Sequence, residues 1–149
     1  MLPKSSQRAA RVIQLANDVA REYDQEYVGT EHVLLAILRE GSGIGAKVLA
    51  KHDVTVDKLQ REVEKLAKKQ LEETWVFGRL PGTPHFKNVV ATAIEQCQEL
   101  GAKAVCTEHL LLALVKERGS IAGKALRALG LSFADIRSDV IELTSAPPG

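Results

Sequence analysis

One segment of this chain occurs twice. Thr30 to Leu66 aligns without a gap on Thr107 to Leu143 at an offset of 77 residues, and 12 of the 37 paired positions are identical. Composition alone would give roughly two or three. The offset extends upstream, setting Val12 on Val89, Ala16 on Ala93 and Val28 on Val105. Such a duplication constrains the fold more than any local pattern, because both halves must build the same supersecondary unit. A unit of about 65 residues buries its apolar stripes poorly when alone. The halves are therefore expected to share one core and unfold together, within a single domain of residues 1–144. Repeat one is placed at 5–67, a connector at 68–82 and repeat two at 83–144, with 145–149 a linker or tail.

Each repeat reads as four helices. Val12, Leu15, Ala16, Val19 and Ala20 recur at the spacing of one helical stripe, which predicts a first helix over Ser5 to Glu22. Thr30 is expected to cap a second helix that runs to Arg39 and stops at Gly41-Ser42-Gly43; Thr107 and Gly119 repeat the pattern. Third helices follow over Ile44 to Lys51 and Ile121 to Leu129. Thr55 and Ser132 then cap fourth helices, whose Val56, Leu59, Val63 and Leu66 mirror Phe133, Ile136, Val140 and Leu143. Thr83-Pro84 opens repeat two as cap and first helical residue. No alternating run of β-branched residues stands between turns. The expected class is all-α: eight helices in two pseudo-twofold-related four-helix repeats.

The composition removes several functions. Twenty Lys and Arg against nineteen Asp and Glu leave a net charge of +1, which gives no attraction for nucleic acid or an anionic membrane. No apolar run approaches the roughly 18 to 20 residues that span a bilayer. Two cysteines make no disulfide scaffold, and no export signal opens the chain, which places it in a reducing cytoplasm. The phosphate-cradling GxxxxGK[ST] loop and GxGxxG are both missing, so neither ATP binding nor hydrolysis is expected, and no cofactor is. Cys97 falls on the helix stripe where repeat one has Ala20, and reads as core. Cys106 and the four histidines stand at no nucleophile–base spacing, and no HExxH or CxxC pattern suggests a metal. Neither catalytic nor metal residues are expected.

One constellation could carry chemistry: Thr-Glu-His, present as Thr30-Glu31-His32 and again as Thr107-Glu108-His109. Its structural reading is a helix start, with Thr as cap and Glu beside the positive end of the helix dipole. Its functional reading uses the same geometry: helix-start amides for an anion, and the Glu carboxylate for a guanidinium. A ligand bearing both groups close together would suit either copy.

GTEHVLLAILREGSGIGAKVL and CTEHLLLALVKERGSIAGKAL resemble the paired repeats of the Clp N-terminal domain, the module in front of Clp-family AAA+ unfoldase rings, most similarly the ClpC type. The resemblance covers about Arg8 to Leu143. It implies the eight-helix fold, and a non-enzymatic module that binds substrates and adaptor proteins for a Clp unfoldase-protease, in cis or in trans to the ATPase ring. In ClpC-type domains the Glu of this motif takes the guanidinium of phosphoarginine, a degradation mark, while helix-start groups take the phosphate. The resemblance puts those roles on Thr30 and Glu31, and on Thr107 and Glu108. Cys106 stands where repeat one has Gly29, which sets the second site below the first. The alternative it implies is a stand-alone accessory subunit that binds and regulates the Clp machine, similar to plastid regulators built of this domain. Trp75, Val76, Phe77 and Leu80 make the connector more apolar than a solvated linker, and either pack over the two halves or form a docking surface.

Overall fold

The computed structural model describes residues 5–22, 28–77 and 83–145. The described residues form eight helices: α1 (Gln7–Glu22), α2 (Thr30–Glu40), α3 (Ile44–Lys51), α4 (Val56–Phe77), α5 (Thr83–Glu99), α6 (Thr107–Lys116), α7 (Ile121–Ala128) and α8 (Phe133–Ser145). The all-α expectation holds, and the only strand-like pairing among the described residues is a single bridge between Ser5 and Val105. Each predicted helix is present to within a few residues. The fourth is longer than expected, because α4 runs through the first part of the predicted connector to Phe77. The side chains of Trp75, Val76, Phe77 and Leu80 lie outside the described residues, as does the side chain of Thr83.

Local chemistry accounts for several boundaries. Thr55 and Ser132 cap α4 and α8 as predicted, accepting from the Lys58 and Asp135 amides at 3.2 Å each. The predicted caps of α2 and α6 need correction. Residues 29 and 106 hold the extended cap conformation, and Thr30 and Thr107 are already the first helical residues. In place of a threonine hydroxyl, the His32 and His109 rings reach back: each Nδ1 accepts the cap residue's own amide at 2.8 Å. The rings do what Glu or Gln does in a capping box.

The displaced threonines hold the repeats together. Thr107 Oγ1 accepts the Gly45 amide at 3.1 Å, and Thr30 Oγ1 accepts the Ala122 amide at 3.4 Å. Gly45 and Ala122 are themselves partners under the 77-residue offset, so each motif threonine satisfies an orphan amide at the start of the other repeat's third helix. The fourth helices cross over as well: α4 packs on α7, and α8 packs on α3. Leu34, Leu35, Ile37, Leu111, Leu112 and Leu114, all almost fully buried on α2 and α6, lie at the centre of one apolar cluster drawn from both repeats. Cys97 lies in that cluster, as its place on the stripe predicts.

Candidate functional site

The two Glu residues sit at the starts of α2 and α6, one residue past the threonines that cross-link the repeats. Backbone and packing fix these helix starts from both sides, so the carboxyls are presented on rigid supports. In repeat one the Glu31 carboxyl folds back over Gly29 and fills the space that a Cβ at position 29 would take. Its side chain keeps 17% of its accessible surface. Burial raises the Glu31 pKa above the usual carboxylate range, against a smaller opposing pull from its own amide, the nearby His85 ring and the Thr30 hydroxyl.

Beside this carboxyl lies His32, with Nε2 at 3.6 Å from Glu31 Oε1. The histidine does not neutralise it. Burial depresses the His32 pKa to about 4, and Nδ1 already accepts the Gly29 amide, so the ring is neutral at pH 7 with its proton on Nε2. Glu31 is thus a largely desolvated carboxylate facing no permanent cation within its own repeat.

Repeat two keeps the scaffold and changes the surroundings. Cys106 carries a Cβ where Gly29 has none, so Glu108 cannot fold back in the same way and is buried to 6% exposure. Burial raises the Glu108 pKa, and among the described residues no cationic side chain bonds it. The same burial, followed by the Glu108 charge, raises the Cys106 thiol pKa, while Sγ donates to the Ala104 carbonyl at 3.4 Å. A thiol held protonated in this way is a poor nucleophile. Cys106, Glu108 and His109 do bring three potential ligand atoms within 4.8 Å of one another. The imidazole, however, has no lone pair to give. Nδ1 accepts the Cys106 amide and the neutral ring then carries its proton on Nε2, so a metal would have to break the cap.

Residues 4–129 and 82–149 each match the Clp repeat (R) N-terminal domain. The chain belongs to the Clp repeat N-terminal domain family. It is 36% identical over 143 residues to an ATP-dependent Clp protease ATP-binding subunit ClpA homolog of Guillardia theta, covering 96% of this chain and 17% of that relative. It is 35% identical over 143 residues to chaperone protein ClpC2, chloroplastic, of Oryza sativa subsp. japonica, covering 96% of this chain and 15% of that one. This Clp repeat chain thus spans about a sixth of the length of the curated relatives it matches. Its fold is that of the ClpD N-terminal domain from Arabidopsis thaliana, with TM-score 0.69, 18% identity, and coverage of 95% and 98% of the two chains. The Hsp104 N-terminal domain of Candida albicans is similar at TM-score 0.65 and 16% identity, covering 95% and 92%.

Within this Clp repeat domain the four predicted site residues fall into two kinds. Glu31 and Glu108 occupy equivalent places at the helix starts, and among the described residues no Lys or Arg side chain pairs with either. Thr30 and Thr107 are buried, at 3% and 2% exposure, with their hydroxyls committed across the repeats. Two further residues were missed. His85, at the start of α5, is near enough for its charge to act on Glu31; Arg8, at the start of α1, acts in the same way on the Cys106 thiol beside Glu108. Arg8 and His85 are themselves partners at the 77-residue offset, a signal that was present in the alignment. In the first site, therefore, a carboxyl of repeat one lies near a basic ring of repeat two. No helix among the described residues is long and apolar enough to cross a membrane.

Proposed function

We propose that this chain is a non-enzymatic recognition module that captures substrates or adaptors for a Clp ATPase ring in an aqueous, cytoplasmic setting, and that its ligand chemistry is phosphoarginine. The observation that carries this reading is the pair of desolvated Glu carboxyls at equivalent helix starts, with which no Lys or Arg side chain among the described residues pairs. A buried carboxylate without a partner is costly, and a guanidinium is the planar donor that satisfies both of its oxygens. In the first site Glu31 holds the guanidinium. The Thr30 helix-start amide and the His85 ring face the adjoining phosphate, while the Thr30 hydroxyl stays in its inter-repeat bond. The second site is weaker, because Glu108 is more deeply buried and Cys106 crowds the backbone that must approach the phosphate.

Calorimetric titration with free phosphoarginine tests this. A charge-assisted bidentate contact is worth about 1.5–3 kcal/mol, so Glu31→Ala should weaken binding roughly ten- to a hundredfold and Glu108→Ala less. Arginine and phosphoserine, each engaging half of the site, should bind poorly. Cys106→Gly should strengthen the second site if crowding is what weakens it. Undetectable binding at millimolar phosphoarginine, or binding untouched by loss of both carboxyls, refutes the ligand assignment and favours an accessory subunit that docks on the Clp machine instead.

A further inference from the structure

Away from both Glu sites, repeat two has an open pocket of about 430 Å³ between the end of α6, the α6–α7 turn, the end of α7 and the start of α8. Its floor is apolar, with buried Val115 and Leu131 and half-buried Phe133. Its rim carries Lys116, Arg118 and Arg127, all exposed. No carboxylate among the described residues pairs with any of the three; Lys116 instead lies over the Phe133 ring, 5.4 Å from its centroid. The one acidic residue in the adjoining turn, Glu117, directs its carboxylate toward His85 at 3.7 Å. The positive end of α8, capped by Ser132, opens onto the same space. Three positive charges around one apolar floor are a local feature, since the whole chain carries only +1. The equivalent positions of repeat one lack this cluster of charges. There Arg118, Arg127 and Phe133 are replaced by Gly41, Ala50 and Val56, and the one remaining cation, Arg39, is bonded through two nitrogens to Glu22.

We propose that this pocket docks an acidic peptide segment of a partner protein, with a large apolar side chain on Phe133 and Leu131 and flanking carboxylates on Lys116, Arg118 and Arg127. Charge complementarity selects the acidic flanks, and the apolar floor selects the side chain between them. The probe is a fluorescein-labelled Asp-Glu-Phe-Glu-Asp peptide, read by fluorescence anisotropy against the intact chain. Arg118→Glu with Arg127→Glu should weaken binding at least tenfold, and the milder Arg118→Gln with Arg127→Gln should weaken it less; unchanged melting curves establish that both variants fold. Lys47→Glu, an exposed charge change on α3, should leave binding within about twofold. Replacing Phe by Gly in the peptide should weaken it about tenfold. The proposal fails if the Gly peptide binds as tightly or if Lys47→Glu is as damaging as the arginine changes. It fails equally if the loss follows Glu31→Ala rather than the arginines.

Discussion

The two repeats carry the same backbone and different surfaces, and the pattern of difference separates structural from functional residues. The identical positions include the threonines that cross-link the repeats, the histidines that close the caps, and core residues such as Leu34 and Leu111. Each has a structural duty that both copies need. The divergent positions sit mostly where packing is indifferent: Gly41 against Arg118, Ala50 against Arg127, Val56 against Phe133. Glu31 and Glu108 fit neither group. Both copies retain a carboxyl whose burial opposes its charge and which, among the described residues, pairs with no Lys or Arg side chain. A residue that works against the fold twice, in two otherwise divergent settings, is explained by a ligand better than by packing.

The largest effect that separates the repeats is expected where α3 meets α8. Asp139, with a side chain only 10% exposed, accepts from Lys51 Nζ at 2.7 Å and pairs with His52 Nε2 at 2.6 Å. At the equivalent positions stand Glu62 in repeat one and Ala128 and Leu129 in repeat two, whose side chains cannot bond a carboxylate. The Lys51 bond, then the His52 bond, hold the Asp139 pKa below its usual 3.8. A depressed carboxyl stabilises the fold at pH values above its unfolded pKa, and this contribution disappears as pH falls through the folded value. Asp139→Asn should therefore lower Tm by roughly 5 °C at pH 7, with the gap closing below about pH 4, whereas Glu62→Gln should change it by less than about 2 °C. Thermal melts of both variants from pH 3 to 7 check this. Equal losses would mean that the two crossings are energetically alike despite their chemistry.

A smaller effect of opposite sign is expected at Glu108. Its folded pKa is raised, so the folded state holds this proton more tightly than the unfolded chain does. The fold loses stability as pH rises from the ordinary carboxylate range through the raised value. Glu108→Gln keeps the shape without the charge and should raise Tm by roughly 1–3 °C at pH 7, with no gain at pH 3. Glu31→Gln should behave alike but more weakly, since that carboxyl is more exposed. A fall in Tm at neutral pH would mean that each carboxylate has a structural partner, and would weaken the case for a ligand.

Most of the helix plan was legible because the duplication supplied every boundary twice, and Thr55 and Ser132 carry the usual cap chemistry. The α2 and α6 caps were misread for a physical reason. Thr beside Gly29 or Cys106 is the stronger cap signal, a histidine three residues on is an uncommon reciprocal partner, and a threonine at a helix start looks the same whether its hydroxyl turns inward or across to another helix. The length of α4 was hidden because Lys68 to Phe77 is a glycine-free run of mixed charged and apolar residues that reads equally as helix or as connector. The crossings of α4 onto α7 and α8 onto α3, and with them the Lys51–Asp139 bond, follow from how the repeats dock, which periodicity within one repeat does not encode. The Glu positions were readable from the motif. That no cation among the described residues pairs with them was not, because it depends on the tautomers and burial of His32 and His109.

The finest difference lies in the turns that end α3 and α7. Both turns are of one type: the residue in the left-handed region donates three residues back, Asp53 to Ala50 at 3.0 Å and Gly130 to Arg127 at 2.9 Å. The next residue donates five back, Val54 to Leu49 at 3.0 Å and Leu131 to Leu126 at 2.9 Å. The φ values are 58° at Asp53 and 88° at Gly130. Glycine adopts this region without steric penalty, and aspartate adopts it at a modest cost. Asp53 is exposed, so removing its side chain forfeits no burial, and a Cβ at Gly130 would meet nothing within 4 Å. Each substitution therefore probes backbone conformation alone. Asp53→Gly should stabilise by about 0.5 kcal/mol and Gly130→Asp destabilise by a similar amount, near 1–2 °C in Tm, and the double variant should melt close to wild type. Differential scanning calorimetry resolves shifts of this size. A loss of stability in Asp53→Gly would show that the aspartate side chain, and not the turn, is what repeat one uses at this position.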